Sequence, residues 1–181
     1  MNKVNKKEYF TDIYNQSFNY VYSYIFVRTA GNSQLTEDIV QETFAAAWSS
    51  LDSFNKKSTY HTWLCSIAKN KLCENYRRAI YKEKFELSDN DSFNEHASSF
   101  DLEKIVIDHE TRLYVLEVLK GLNPLYRNAL IMKYIDGLSV KEIAKVLGRT
   151  AKAVDGVLQR AKVAFEKSYL KMEGIDGKHE G

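Results

Sequence analysis

The sequence predicts an all-α protein of two small helical domains joined by a flexible linker. Apolar residues recur at steps of three and four along most of the chain, which is the period of an amphipathic helix. One proline and eight glycines among 181 residues leave long stretches without helix breakers. The net charge, counted as Lys and Arg residues minus Asp and Glu residues, is +4 for residues 1–84, −7 for 85–110 and +5 for 111–181. An acidic segment therefore separates two basic ones, a pattern that suits two modules meeting a polyanion.

The N-terminal domain, residues 1–84, is predicted to hold three helices. The first covers 6–30 and ends at a Gly-Asn-Ser break. The second starts near Thr36, a residue type that caps helices, and its buried side includes Trp48. The third covers 58–84, with Trp63, Leu64 and Ile67 as expected core residues and a strongly basic remainder. Aromatic rings beside cations also suit unstacked single-stranded nucleic acid.

The second predicted helix carries an acidic and amide patch made of Asp38, Gln41 and Glu42. These residues lie three and four apart, so they share one face, away from the apolar side. Solvated helix surface is the simplest interpretation, and docking on a basic partner is the more specific one. Asp38 and Glu42 could also form a carboxylate pair for a metal or for acid–base chemistry, but no histidine lies at a ligand spacing beside them.

Residues 85–110 are rich in Asp, Asn and Ser and show no sustained period, which predicts a flexible linker with a short helix at 101–108. Cys65 and Cys73 lie eight residues apart, about 12 Å along a helix, so they cannot bridge there. Free cysteines favour a reducing cytoplasm. We find neither a secretory signal nor an apolar run long enough for a bilayer, and expect no direct membrane insertion.

The C-terminal domain, residues 111–170, is predicted to be a winged-helix-like four-helix domain that ends in a helix-turn-helix. Its first helix, 110–121, has Leu113, Leu116, Leu119 and Leu122 on one side. Asn123 and Pro124 then begin a helix to residue 135, since asparagine caps and proline takes the first helical position. Residues 171–181 are expected to form a frayed tail.

The helix-turn-helix itself occupies residues 138–165. Ser139 and Glu142 have the spacing of a capping box, and Gly148 suits the left-handed turn between the helices. Thr150 can cap the second helix, which has an apolar stripe. That stripe consists of Val154, Val157, Leu158, Ala161 and Phe165. The opposite face is mostly basic, which fits either a DNA-reading helix or an ordinary helical hairpin with a solvated side.

Three segments, taken in order, resemble one family. TEDIVQETFAAAW at 36–48, TYHTWLCSIAKNKLCENYRR at 59–78 and LNPLYRNALIMKYIDGLSVKEIAKVLGRTAKAVDGVLQRAK at 122–162 resemble the sigma-70 family of RNA polymerase sigma factors, in its extracytoplasmic-function (ECF) group. The first looks like the polymerase-binding helix, the second like the helix for promoter melting and −10 recognition, and the third like the −35-binding domain. The resemblance implies core RNA polymerase, promoter DNA and an anti-sigma factor as partners, with no cofactor and no catalysis.

The resemblance also implies roles for individual residues. Asp38, Gln41 and Glu42 would face a basic coiled coil of the largest polymerase subunit. The −10 set would be Tyr60, Trp63 and Asn70 at the pocket for a flipped base, with Arg77 and Arg78 on nearby DNA. The −35 set would be Arg149, Thr150, Lys152, Asp155, Gln159 and Arg160.

The chain departs from the family pattern in its last predicted helix. The family often places a basic residue and a serine after the valine, whereas here Val154 is followed by Asp155 and Gly156. An aspartate facing DNA lowers phosphate affinity but can accept a hydrogen bond from cytosine N4. A glycine in mid-helix costs about 1 kcal/mol relative to alanine but permits close backbone approach. Either the −35 sequence differs from the common one, or this face is rotated.

Two other functions are compatible with parts of the pattern. An autonomous regulator with the same helix-turn-helix would bind duplex DNA without polymerase, although the Trp63, Asn70 and Arg77-Arg78 pattern argues against it. A metal-dependent nuclease would use Asp38 and Glu42, but no glycine-rich phosphate loop or histidine supports it.

Overall fold

A computed structural model of the chain describes residues 3–83, 109–172 and 174. Within these ranges the structure has seven α-helices and no strand, so the predicted all-α class is confirmed. The helices are α1 (Lys3–Arg28), α2 (Ser33–Ser50), α3 (Tyr60–Glu83), α4 (His109–Gly121), α5 (Pro124–Leu130), α6 (Val140–Leu147) and α7 (Ala151–Met172). A 3-10 turn, Leu51–Ser53, follows α2.

The chain divides into two compact units, Met1–Asn75 and Tyr76–Gly181. We call them unit 1 and unit 2. The division falls inside α3, earlier than the predicted end of the first domain at residue 84. Most of the predicted linker, including its short helix at 101–108, lies outside the described residues. The same holds for most of the predicted tail, although α7 itself reaches Met172.

Unit 1 has a core of aliphatic side chains from its three helices. α1 packs against α2 through residues such as Ile13 and Ile25 on α1 and Ile39 on α2, all of them buried. On α3 the buried residues of its predicted apolar face include Leu64, Ala68 and Leu72. Burying such side chains is the main source of stability for a unit of this size.

The start of α2 was predicted wrongly. Asn32, not Thr36, is the N-cap: its Oδ1 accepts a hydrogen bond from the Leu35 backbone N–H at 3.0 Å. Thr36 lies in the first turn and is fully buried. Its hydroxyl donates to the Asn32 carbonyl oxygen at 2.7 Å and lies 2.7 Å from Thr29 Oγ1. Trp48 was also expected in the core, but it is 39% exposed at the edge of the unit, packed edge-to-face on Phe10.

Unit 2 is built around α7, which packs against α4, α5 and α6. α5 continues through a π-helical turn, Ile131–Ile135, in which Ile131 and Met132 are both fully buried. Asn123 caps α5 as predicted, with Oδ1 accepting from the Tyr126 backbone N–H at 2.8 Å. On α4 the predicted side is partly wrong: Leu113 is 51% exposed, whereas Val118 joins Leu119 in the core. No strand accompanies these helices in the described part of the unit, so no wing is present there.

Candidate nucleic-acid and partner interfaces

The helix-turn-helix has the local geometry that its sequence predicts. Ser139 Oγ accepts from the Glu142 backbone N–H at 3.3 Å, and Glu142 Oε2 accepts from the Ser139 backbone N–H at 2.9 Å. This is the predicted capping box of α6. Gly148 ends α6 in the left-handed region at φ 61 and ψ 37, where glycine has no Cβ penalty. Thr150 Oγ1 accepts from the Ala153 backbone N–H at 3.2 Å and so caps α7.

The second helix of the pair, α7, has one buried side and one exposed side. Its predicted apolar stripe is buried throughout; the stripe consists of Val154, Val157, Leu158, Ala161 and Phe165. Lys152, Asp155 and Gln159 are exposed, and Arg160 is half-buried. At about 100° of rotation per residue, all four positions lie on the half of the helix opposite the stripe, with Asp155 and Arg160 at its two edges. We call this side, with Gly156 between them, the α7 outer face.

Arg149 and Gly156 mark the start and the centre of this region. Arg149 is half-buried in the turn before α7, and its Nε is buried without a hydrogen-bond partner among the described residues. A Cβ added at Gly156 would meet only Arg160 Nη1, at 3.7 Å, apart from the helix's own backbone. The backbone of the α7 outer face is therefore open at its centre.

The predicted acidic and amide patch is exposed on α2 of unit 1. Asp38, Gln41 and Glu42 are all exposed, while Ile39 and Val40 of the same turns are buried. Glu42 Oε2 lies 3.9 Å from Lys71 Nζ, and Lys71 is also 3.4 Å from Glu74 Oε2. The patch keeps its carboxylates at the surface, where a partner can reach them.

An aromatic cluster surrounds the first turn of α3. Tyr60 is half-buried and its hydroxyl lies 2.6 Å from that of Tyr9, within hydrogen-bond distance. That hydrogen bond, with a smaller contribution from burial, raises the pKa of Tyr60 above its ordinary value. Phe54 contacts both Tyr60 and Trp63, with ring centroids 5.4 and 4.6 Å apart. Trp63 was expected in the core but is only half-buried.

Tyr9 and Phe54 were not among the predicted site residues. Tyr9 lies 51 residues before Tyr60 in the chain, so no local sequence pattern reports their contact. Lys56 adds a cation 5.7 Å from the centre of the Tyr9 ring, from a loop position with a left-handed φ of 59. The cluster thus combines aromatic surface with positive charge at one end of α3.

The other residues of the predicted −10 set lie further along α3. Asn70 is exposed, seven residues after Trp63 and so on the same side of the helix. Arg77 and Arg78 are exposed, beyond the point where the chain divides into its two units. Arg77 Nε donates to the Val146 carbonyl oxygen at 3.1 Å, a contact within unit 2.

The described residues offer no metal site. They contain no group of three or more His, Cys, Asp or Glu side chains that could hold an ion. Cys65 and Cys73 are half-buried, and neither forms a disulfide bond with another described residue. Burial raises the pKa of the Cys65 thiol. Among the described helices, none is long and apolar enough to cross a bilayer.

A helix-turn-helix with a polar outer face, combined with a second helical unit that bears an acidic patch and an aromatic cluster, defines a two-part helical protein of the DNA-binding class. Residues 10–79 match the model for Sigma-70 region 2, and residues 112–165 match that for Sigma-70, region 4. The chain belongs to the sigma-70 family, in the ECF group of RNA polymerase sigma factors.

Two relatives agree with this assignment by sequence. RNA polymerase sigma factor YlaC of Bacillus subtilis (strain 168) is 30% identical over 162 residues, which are 88% of this chain and 91% of that protein. ECF RNA polymerase sigma factor BldN of Streptomyces coelicolor is 26% identical over 153 residues, 84% of this chain and 57% of BldN. The sigma factor RpoE in a complex with the anti-sigma factor NepR, from Bartonella quintana, is a similar solved structure, with 20% identity, a TM-score of 0.46, and coverage of 88% of this chain and 95% of that one.

The resemblance seen in the three sequence segments is thereby confirmed. The function is that of a sigma factor, which directs core RNA polymerase to promoters, and the alternative of an autonomous regulator is not supported.

Proposed function

We propose that the two units divide promoter recognition between them. Unit 1, together with the end of α3 that carries Arg77 and Arg78, docks on core polymerase and captures a base extruded from the −10 element, and helices α4 to α7 of unit 2 read the −35 element as duplex. The observation that carries this assignment is the α7 outer face, where Lys152, Asp155 and Gln159 stand exposed opposite a completely buried stripe. A recognition helix needs this arrangement, because its scaffold holds one side while base edges meet the other.

The α2 patch is proposed to bind a basic surface of core polymerase. Asp38 and Glu42 are exposed one helical turn apart, with Gln41 between them as a hydrogen-bonding group. The contact of Glu42 with Lys71, at 3.9 Å, joins two partly exposed side chains, and such pairs are worth about 0–1 kcal/mol. Exchanging Lys71 for a partner's cation therefore costs little.

The patch can be tested with a matched pair of variants. Asp38→Ala combined with Glu42→Ala should weaken co-purification with core polymerase, whereas Glu8→Ala combined with Asp12→Ala should not. Glu8 and Asp12 are exposed acids one turn apart on α1 of the same unit, so the second pair controls for the loss of two surface charges. Equal binding by both variants would remove the patch from the polymerase interface.

The aromatic cluster is proposed to receive the flipped −10 base. Extrusion of a base costs a few kcal/mol, and stacking on an aromatic ring returns about 1–3 kcal/mol. Trp63 is half-buried against Phe54, which fixes its ring while leaving part of it accessible. Tyr60 and Asn70 would add hydrogen bonds, and Arg77 and Arg78 would hold nearby phosphates. Capture of the extruded base favours the melted promoter.

The −35 duplex is proposed to meet the α7 outer face together with Arg149 and Thr150. The major groove admits a helix of this size, and the first residues of a recognition helix reach base edges. Lys152, Gln159 and Arg160 supply a cation, an amide and a guanidinium along the exposed side. Thr150 already accepts a backbone hydrogen bond through its hydroxyl oxygen, so its hydroxyl hydrogen would serve a phosphate.

The remaining assignments follow the family. We expect residues 1–84 and 111–170 to act as the two working domains, and residues 85–110 to cross polymerase as an acidic strap near the RNA exit path. We expect a cytoplasmic location, an anti-sigma factor that covers the chain until it is needed, and no catalytic activity.

Incubating the chain with Mg²⁺ or Mn²⁺ and DNA should give no cleavage of the DNA. Cleavage that is lost in Asp38→Ala would support the nuclease alternative.

Run-off transcription with core RNA polymerase tests the function as a whole. Addition of the chain should produce discrete transcripts from a genomic DNA library, and their start sites would reveal both promoter elements. A gel shift should show specific duplex binding only when core polymerase is present. Specific binding by the chain alone, without any promoter-directed transcript, would favour the autonomous regulator.

A further inference from the structure

Asp155 is an acid in the part of α7 that should lie deepest in DNA. It is the fifth residue of the helix and is exposed on the outer face between Lys152 and Gln159. Within the part of the chain that the structure describes, its carboxylate has no hydrogen bond and no ion pair. Beside DNA phosphates such a charge is repelled. A free carboxylate at this position therefore lowers affinity for every sequence that offers it no donor.

Only some base edges can satisfy a carboxylate, which accepts hydrogen bonds but cannot donate them. In the major groove the donors are cytosine N4 and adenine N6. Adenine N6 lies between two acceptors, adenine N7 and thymine O4, and both repel a carboxylate. Cytosine N4 lies at the outer end of its pair, with acceptors on the guanine side only. A carboxylate therefore favours cytosine over the other three bases.

Aspartate has a short side chain, so it reaches a base only if the helix backbone comes close. Gly156, the next residue, permits this approach because it places no side chain on the outer face. The nearest atom to its missing Cβ is Arg160 Nη1, at 3.7 Å, which belongs to a flexible side chain. Asp155 and Gly156 together thus form a short acceptor on an open stretch of backbone.

We propose that Asp155 selects a cytosine in the −35 element by accepting a hydrogen bond from its N4 amino group, while Gly156 lets the helix come close enough. This rests on the proposed function, in which α7 enters the −35 major groove. It also explains why Val154 is followed by Asp155 and Gly156: of the two explanations given above, a −35 sequence that differs from the common one is the one that we adopt.

The experiment uses the full chain with core polymerase and a promoter found by run-off mapping, with its upstream element randomised and the transcripts sequenced. The wild-type chain should favour cytosine at one position by about tenfold. Asp155→Ala should lose that preference and keep the others. Asp155→Asn should shift it towards adenine, whose N6 and N7 match an amide.

Glu117→Gln is the matched control, since it removes one exposed acid from α4 of the same unit. Its base preferences should equal those of the wild-type chain. An Asp155→Ala profile unchanged at every position, or a uniform rise in transcription from all sequences, would overturn the selection of cytosine. No transcript from any template with the wild-type chain would overturn the proposed function itself. Equal thermal unfolding of the variants shows that these differences arise at the DNA.

Discussion

Two glycines of unit 2 should respond in opposite ways to alanine. Gly148 ends α6 at φ +61, and nothing lies within 4 Å of a Cβ built there. Gly156 lies inside α7, where an added Cβ would meet only Arg160 Nη1 at the ordinary contact distance of 3.7 Å. Neither substitution creates a clash, so the backbone conformation alone sets the sign of its effect.

The magnitudes follow from that conformation. Gly156→Ala should stabilise unit 2 by about 1 kcal/mol, the difference between glycine and alanine inside a helix. Gly148→Ala should destabilise it by about 1–2 kcal/mol, the cost of a Cβ in the left-handed region. In a domain of roughly 60–100 residues, 1 kcal/mol moves the midpoint of thermal unfolding by about 4–8 °C. The two variants should therefore differ by about 10 °C or more.

Differential scanning calorimetry of the full chain measures both shifts. The transition whose midpoint temperature rises in Gly156→Ala should be the one whose midpoint falls in Gly148→Ala, because both residues belong to unit 2. Midpoints that move in the same direction would refute the backbone argument. Gly156→Ala should also weaken transcription from promoters that depend on the −35 element, since its methyl group stands on the α7 outer face.

Three further predictions concern the core and the two DNA-facing surfaces. Phe165→Ala empties a fully buried position and should cost about 3–5 kcal/mol, seen as early loss of one transition in urea unfolding. Tyr9→Phe removes the hydroxyl partner of Tyr60, so the pKa of Tyr60 should fall towards 10.0 in a ¹³C NMR titration of tyrosine. A raised pKa means that the hydrogen bond stabilises the fold below pH ~10, and that this stabilisation is lost as the pH rises through the folded-state pKa. The variant lacks the bond, so its free energy of unfolding should fall less than that of the wild-type chain at alkaline pH. Lys152→Ala should weaken holoenzyme binding evenly across sequences and lower the salt slope by about 1.

Local sequence information was sufficient wherever all the determinants of a feature lie within one turn. The Ser139 and Glu142 capping box and the Asn123 cap both formed as predicted, because each depends on residues three positions apart. The outer face of α7 followed from its apolar period for the same reason. The sequence resemblance supplied the order of the two regions, which no single helix shows.

Features that depend on tertiary contacts could not be predicted from the sequence. Asn32 and Thr36 are both good capping residues, but Thr36 is buried, with its hydroxyl 2.7 Å from that of Thr29, seven residues earlier. Leu113 and Val118 are both apolar residues that could face a core. The docking of α4 against α7 buries Val118 and leaves Leu113 exposed. In such cases the sequence offers two solutions of similar local free energy, and packing selects between them.

Arg149 shows how stability and function can be separated at one residue. Its buried Nε lacks a partner in the described structure, and leaving a buried donor unpaired costs about 1–3 kcal/mol. The buried Nε thus contributes no hydrogen bond to folding, whereas the terminal guanidinium nitrogens would pair with a phosphate or a guanine edge on binding. Arg149→Ala should leave the unfolding midpoint unchanged or raised while lowering −35-dependent transcription about tenfold. Arg149→Lys should recover only part of this loss, because an ammonium lacks the planar pair of donors. A lowered midpoint with transcription reduced in proportion would instead make Arg149 a structural residue of the turn, and the −35 face would then begin at Lys152.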